Sequence, residues 1–204
     1  MDIISALKKL NIPPKSPLVL SISGGVDSMV MLSLLKDSPF SIVVVHFNHM
    51  KREQSFIEKE LVSTYCETHN IPFHDYKIHV KRGNFHHQAH HMRLHYLKEV
   101  CQIYHTHYIL TAHHQDDLLE NILIKLTRGS NLLGYAGMQM AHNSEGYTFI
   151  KPLLYTPKEA ILSHAITHQI PYLDDESNQE DLYLRNRYRH AIVPIMKQEN
   201  PGLL

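Results

Sequence analysis

The chain has 204 residues, 43% of them hydrophobic, which is enough to bury one substantial core. Lysine plus arginine (20) balances aspartate plus glutamate (20), so any polyanion has to be met by a local patch and not by a net field. Cys66 and Cys101 are the only cysteines and form no CxxC; that excludes a disulfide framework, disfavours structural zinc and, with no bilayer-length apolar run or signal peptide, predicts a cytoplasmic protein with no membrane partner.

An amphipathic opening helix stops at the breaker "NIPPKSP". The runs "LVLSIS", "SIVVVHF", "PFHDYKIHV" and "HYILTA" read as strands, because apolar and β-branched residues cluster over strand lengths. Helical periodicity covers about 29–36, 53–69 and 84–104 between them, and about 115–126 after the fourth. This alternation predicts an α/β fold with a doubly wound, mostly parallel sheet, flanking helices and right-handed crossovers. Beyond Arg128 come a strand near "YTFIKPLL", a helix over about 157–168, the polar loop "LDDESNQED" and a final helical segment stopping near Pro201. Ligands of such sheets bind at the carboxyl ends of strands, which puts "SGGVDS", "HFNH" and "TAHHQDD" on one rim.

Gly24 and Gly25 allow positive φ and close approach of backbone N–H groups to an anion, Ser23 and Ser28 add hydroxyls, and the helix start that follows adds partial positive charge. The loop is neither GxxxxGK[ST] nor GxGxxG. It reads as a phosphate cradle, with a plain strand-to-helix turn as the alternative. In "TAHHQDDLLEN", Asp117 and Glu120 lie three apart and Asp116 and Glu120 four apart, so the carboxylates share a helix face and suit Mg²⁺ or an ammonium group. The alternative is an acidic first turn that complements the dipole, with His113 and His114 packed or solvated. In "RNRYRH", Arg185 and Arg189 share a helical face while Arg187 points elsewhere. These arginines suit phosphate, or form a solvated basic turn paired with upstream acids.

"SGGVDS" resembles the pyrophosphate loop of the N-type ATP pyrophosphatases. Together with "HFNHMKR", "TAHHQDDLLEN", "LTRGSNLLGYAGM", "KPLL" and "DDESNQEDLYLRNRYRH" in that order, the chain from about Ser21 to Pro201 resembles the tRNA(Ile)-lysidine synthetase family of the PP-loop superfamily. The resemblance implies a Rossmann-like catalytic domain over 1–180, and a C-terminal helical segment over 181–204 leading toward a missing or reduced tRNA-binding region. It implies that ATP adenylates the 2-carbonyl oxygen of the wobble cytidine in an isoleucine tRNA, and that free L-lysine then displaces AMP. ATP would be held by Ser21, Ser23, Gly24, Gly25, Val26, Asp27 and Ser28, with His46, Asn48, His113, Arg128 and Gly129. Mg²⁺ falls to Asp27 and Asp117, lysine to Asp117 and Glu120, and tRNA to Arg93, Asn186 and Arg189. The catalytic set is Asp27, Asp117, Glu120, Arg185 and Arg187, the base for the attacking amine being a carboxylate or a histidine. A homodimer is compatible with the family.

Met92 and His95 stand where the family's A-R-x-x-R-Y pattern usually carries arginine, leaving Arg93, and Glu120–Asn121 replaces its E-T pair. The same helix carries His86, His87, His90, His91 and His95 at spacings that suit Zn²⁺, but no cysteine completes a site. A pH-dependent basic surface for RNA is the better expectation. Two rival functions are a tRNA thiolase and a binding module that releases no pyrophosphate. Against the first, both cysteines fall in predicted helices and not at strand ends.

Overall fold

The four strand-length runs, joined by a later hairpin, build a six-stranded sheet ordered β3-β2-β1-β4-β6-β5. The computed structural model describes residues 2–48, 54–78, 85–131, 137–174 and 184–200. Outside those residues lie the "HMKR" of "HFNHMKR", the "HV" closing the third predicted strand, the "LLGYA" of the glycine-rich stretch, all of "DESNQEDLY", and the stop at Pro201. In chain order the elements are α1 (Ile3–Lys9), β1 (Pro17–Ser21), α2 (Val26–Lys36), β2 (Ser41–Asn48), α3 (Gln54–Thr68), β3 (Phe73–Lys77), α4 (Phe85–Ile103), β4 (Tyr108–Leu110), α5 (Gln115–Arg128), β5 (Ala141–Ser144), β6 (Tyr147–Ile150), α6 (Lys158–Thr167), α7 (Leu184–Arg187) and α8 (Val193–Glu199).

Strand side chains alternate between the two faces of the sheet, and the sequence fills both with apolar groups. Leu18, Leu20, Ile42, Val44, Leu110 and Ile150 join one core with residues of α1, α2, α3 and α6. Val19, Val43, Val45 and Ile109 join the other, under Leu97, Val100 and Cys101 of α4. Neighbouring strands are parallel from β3 through β6, with β5 antiparallel to β6. β1 pairs with β2 on one side and β4 on the other. The crossovers from this centre therefore leave in opposite directions, opening a crevice between the segments that follow β1 and β4.

β5 was not foreseen. Its "AHNS" is polar and largely exposed, so no apolar pattern announces it; the cue is the turn at Glu145 (φ 51°) and Gly146 (φ 81°), a geometry typical of tight hairpins. At the carboxyl end of the chain, α7 continues into α8 through a π-helical turn, Tyr188–Ile192. Pro194 has no N–H to give His190, and the Val193 N–H reaches back five residues to the Tyr188 carbonyl. This helical stretch lies against α5, where the Tyr188 hydroxyl meets the Thr127 hydroxyl.

Candidate active site

The loop after β1 is closed on itself. The N–H groups of Ser23 and Gly24 converge on Ser28 Oγ at 3.3 and 3.2 Å, Ser28 donates to the Gly25 carbonyl at 2.8 Å, and the Gly25 N–H reaches Ser23 Oγ at 3.3 Å. Ser28 Oγ thus sits where backbone donors converge, the position an anion oxygen would take. Gly24 has φ +96°, whereas Gly25 is extended at φ −73° and a Cβ there would meet nothing nearer than Ser23 Oγ at 3.5 Å. The two glycines therefore separate by substitution. Gly24→Ala is expected to lower stability by about 1–2 kcal/mol for its left-handed backbone, and Gly25→Ala to leave the denaturation midpoint unchanged while weakening nucleotide binding at the cradle. Urea unfolding paired with ATP titration measures both.

Across the crevice, α5 starts where β4 has ended and carries the carboxylates. Asp117 accepts the His114 N–H at 2.9 Å, which locks the first turn. Glu120, one turn on, is fully buried. Both carboxylates are already engaged by the C-terminal helix. Arg185 donates from Nε to Glu120 and from a terminal nitrogen to Asp117, each at 2.6 Å, and Arg189 Nε donates to Glu120 at 2.7 Å. Burial pushes the Asp117 pKa up, but the charges of His114 and Arg185 and the His114 amide bring it net below the ordinary carboxylate value. Burial alone would lower Arg189; its bonds to Glu120 raise it instead. Next to this cluster Lys197 binds Asp116 at 2.6 Å and Glu159 at 3.0 Å.

Asp27, in the first turn of α2, faces the same place. Its carboxylate is 3.8 Å from His114 Nε2, which lies 3.5 Å from Asp117, and Lys158 Nζ is 2.6 Å from its other oxygen. The structure therefore brings Asp27, Asp117, Glu120 and Arg185 into one crevice with the glycine loop. Arg189, expected at the tRNA, joins that cluster, while Arg187, expected in the catalytic set, is exposed. Arg128 and Gly129 lie exposed at the far end of α5. Lys158 and Lys197 were missed. The one available cue was that "SGGVDS" brings no cation of its own, so a lysine had to come from elsewhere.

His46 and Asn48 lie buried beneath the rim. The His46 Nδ1–H donates to the Ile22 carbonyl at 2.9 Å, and Asn48 donates to the Ser55 carbonyl at 3.2 Å, so in this state both brace backbone around the loop. His113 shares a hydrogen bond with Thr111 at 2.9 Å, and burial lowers its pKa. Burial also sets His46 below its ordinary 6.5, with Nε2 lacking a partner among the described residues. An unfolded chain then takes up the proton first, so stability is full above 6.5 and is expected to fall as pH drops from there toward the lowered folded value. Denaturant midpoints against pH, flattened in that window by His46→Gln, measure the effect.

On α4, Met92 packs into the second core, His95 is exposed and Arg93 is partly buried. The expected basic histidine surface is weaker than its residue count. Burial and Arg93 lower His90, and His87 and His91 meet at 3.1 Å, a bond that needs one of the two nitrogens bare. The His86 side chain lies outside the described residues. Cys66 in α3 and Cys101 in α4 are fully buried, each pushed up to about 12, far from a reactive thiolate.

A parallel-sheet crevice with a glycine loop on one side and helix-borne carboxylates on the other defines a nucleotide-binding α/β protein. The PP-loop domain profile matches residues 2–196, and the chain belongs to that family, whose ATP use implies ATP binding here. It is 41% identical over 185 residues to the tRNA(Ile)-lysidine synthase of Aster yellows witches'-broom phytoplasma, covering 91% of this chain and 42% of that protein. It is 37% identical over 197 residues to the tRNA(Ile)-lysidine synthase of Enterococcus faecalis, covering 94% and 43%. The chain thus spans about two fifths of the length of these curated relatives. Among solved structures, the U34-tRNA thiolase NcsA from Methanococcus maripaludis superposes with a TM-score of 0.81 at 18% identity over 98% of this chain and 73% of that one, a likeness of fold. Among the described residues, no helix is long and apolar enough to cross a membrane.

Proposed function

We propose that the chain carries the adenylation and lysine-transfer site of a tRNA(Ile)-lysidine synthetase, with isoleucine tRNA, free L-lysine and Mg-ATP as substrates. The observation that carries this reading is the Asp117–Glu120 pair, buried opposite the glycine loop and occupied by two arginines. A carboxylate pair that already holds guanidinium groups has the charge and donor demand of a site for an ammonium-bearing substrate. Lysine enters by exchange of one cation for another, freeing Arg185 or Arg189 for a phosphate of ATP or tRNA. The similarity to two lysidine synthases over more than nine tenths of this chain supports the same reading.

The residues present fit Mg²⁺. Asp27 and Asp117 offer hard oxygen donors on either side of one imidazole, with the phosphate cradle alongside. Bound there, the ion would neutralise charge developing on the phosphates. In the first step the cytidine 2-carbonyl oxygen attacks the α-phosphorus and pyrophosphate leaves into the donors of Ser23, Gly24, Gly25 and Ser28. In the second, the lysine amine attacks C2, a proton passes to a neighbouring base, and AMP leaves. His113, held by Thr111 and kept below its ordinary value by burial, is a group whose neutral form can take that proton.

The test supplies purified protein with Mg-ATP, labelled lysine and unmodified isoleucine tRNA carrying a CAU anticodon. Lysine incorporation coupled to AMP and pyrophosphate release is the expected result. Binding of tRNA or ATP without AMP formation would replace the synthetase with a binding module.

A further inference from the structure

We propose that Lys158 is the phosphate-binding cation of the glycine loop, resting on Asp27 until ATP arrives and then gripping the β and γ phosphates. The inference rests on the reading of the loop as an ATP site. A loop of the GxxxxGK[ST] kind carries its lysine in sequence, and "SGGVDS" carries none. The triphosphate still needs a counter-charge where the pyrophosphate departs.

Lys158 stands where that charge is wanted. It is the first residue of α6, directly after the Pro157 N-cap, and α6 packs on α2 with Ile161 and Ala165 buried. Its Nζ reaches across to Asp27, the residue next but one after Gly25. Two further bonds fix the surroundings. The Leu173 N–H donates to the Gly24 carbonyl at 3.0 Å, and the Gln115 N–H donates to the Thr156 carbonyl at 3.1 Å. The turn before α6 is thereby tied to the start of α5, and the segment after α6 to the glycine loop. A lysine in the first turn of a helix also opposes the helix dipole, so helix stability gives no reason for its position. The ion pair with Asp27 is partly exposed, at 29% and 27%, and contributes little to folding on its own.

Asp27 and the phosphates are alternative partners for one ammonium. When phosphate takes Lys158, the Asp27 carboxylate is released to its own role toward Mg²⁺. Carboxylate and cradle are close in the chain, Asp27 following Gly25 by two residues at the start of α2.

Binding of inorganic pyrophosphate, ATP and AMP is measured by calorimetry on the full chain without tRNA or lysine, for wild type, Lys158→Met and Lys158→Arg, alongside thermal unfolding. Lys158→Met is expected to weaken pyrophosphate and ATP by about tenfold or more, and to leave AMP within about twofold. Lys158→Arg should restore most of the loss, which a purely structural ion pair would not link to pyrophosphate. Wild-type pyrophosphate affinity in Lys158→Met, an equal loss for AMP and pyrophosphate, or no pyrophosphate binding by the wild-type chain would each overturn the inference. If Lys158→Met loses pyrophosphate while the wild type transfers no lysine to tRNA, the lysidine reading fails and this inference stands. Lysine transfer with unchanged pyrophosphate binding in Lys158→Met gives the reverse.

Discussion

Glu120→Gln is expected to abolish lysine transfer and to destabilise the fold at once. The substitution keeps the shape of a fully buried side chain but removes the charge that two guanidinium groups share. Asp117 is then left to balance Arg185 and Arg189 alone. Breaking a buried charge pair typically costs about 3–5 kcal/mol. Here the arginines are 42% and 31% exposed and water recovers part of their solvation, so a loss of about 1–3 kcal/mol is expected. Lysine transfer should fall by about a hundredfold or more, the usual consequence of unpairing a desolvated charge at a binding site. Urea unfolding reads the first effect and labelled-lysine incorporation at saturating ATP the second. A variant with wild-type lysine affinity would remove Glu120 from the pocket.

Asp27→Ala has the opposite profile. Its carboxylate is partly exposed and its ion pair with Lys158 holds little folding energy, so the unfolding free energy should change by less than about 1 kcal/mol. Pyrophosphate release, however, should drop by about a hundred- to a thousandfold, the scale seen when one electrostatic contact to developing charge is removed. The same measurement separates the two aspartates of the crevice. Asp27→Ala acts on ATP cleavage before lysine matters, whereas loss of Asp117 also disturbs the α5 turn that its carboxylate locks to the His114 N–H. Burst measurements of pyrophosphate with lysine omitted distinguish them.

The sheet was legible because alternation in "LVLS" and "SIVVVHF" fills two cores, and the order of strands and helices then leaves few topologies. β5 was not, since four polar, exposed residues carry no periodic signal and pair only because a tight turn returns the chain to β6. The convergence of Asp27, Asp117 and Glu120 was legible because motif residues that follow strand ends share a rim in any such fold. Lys158 was invisible for the complementary reason. It lies 131 residues from Asp27, and no local pattern ties it there. The arginines are instructive. Simple helical spacing paired Arg185 with Arg189, as the structure does, while the resemblance put Arg185 and Arg187 in the catalytic set, of which Arg185 reaches the carboxylates and Arg187 is exposed. His46, near the end of β2, faces inward in this state and braces the Ile22 backbone.

The π-helical turn at Tyr188–Ile192 sets the angular phase of everything after it. Each helical residue advances about 100° around the axis, so the residue accommodated by the wider turn rotates α8 relative to α7 by about that angle. Arg185 before the turn and Arg189 within it meet Glu120, and Lys197 after it meets Asp116, all on the same helix α5. In a chain one residue shorter here, the two halves would be out of step, and a helix aligned to bring its arginines onto Glu120 would aim Lys197 away from Asp116. The local widening thus works as a register shim, letting one short terminal helix meet successive turns of α5 with both ends in phase.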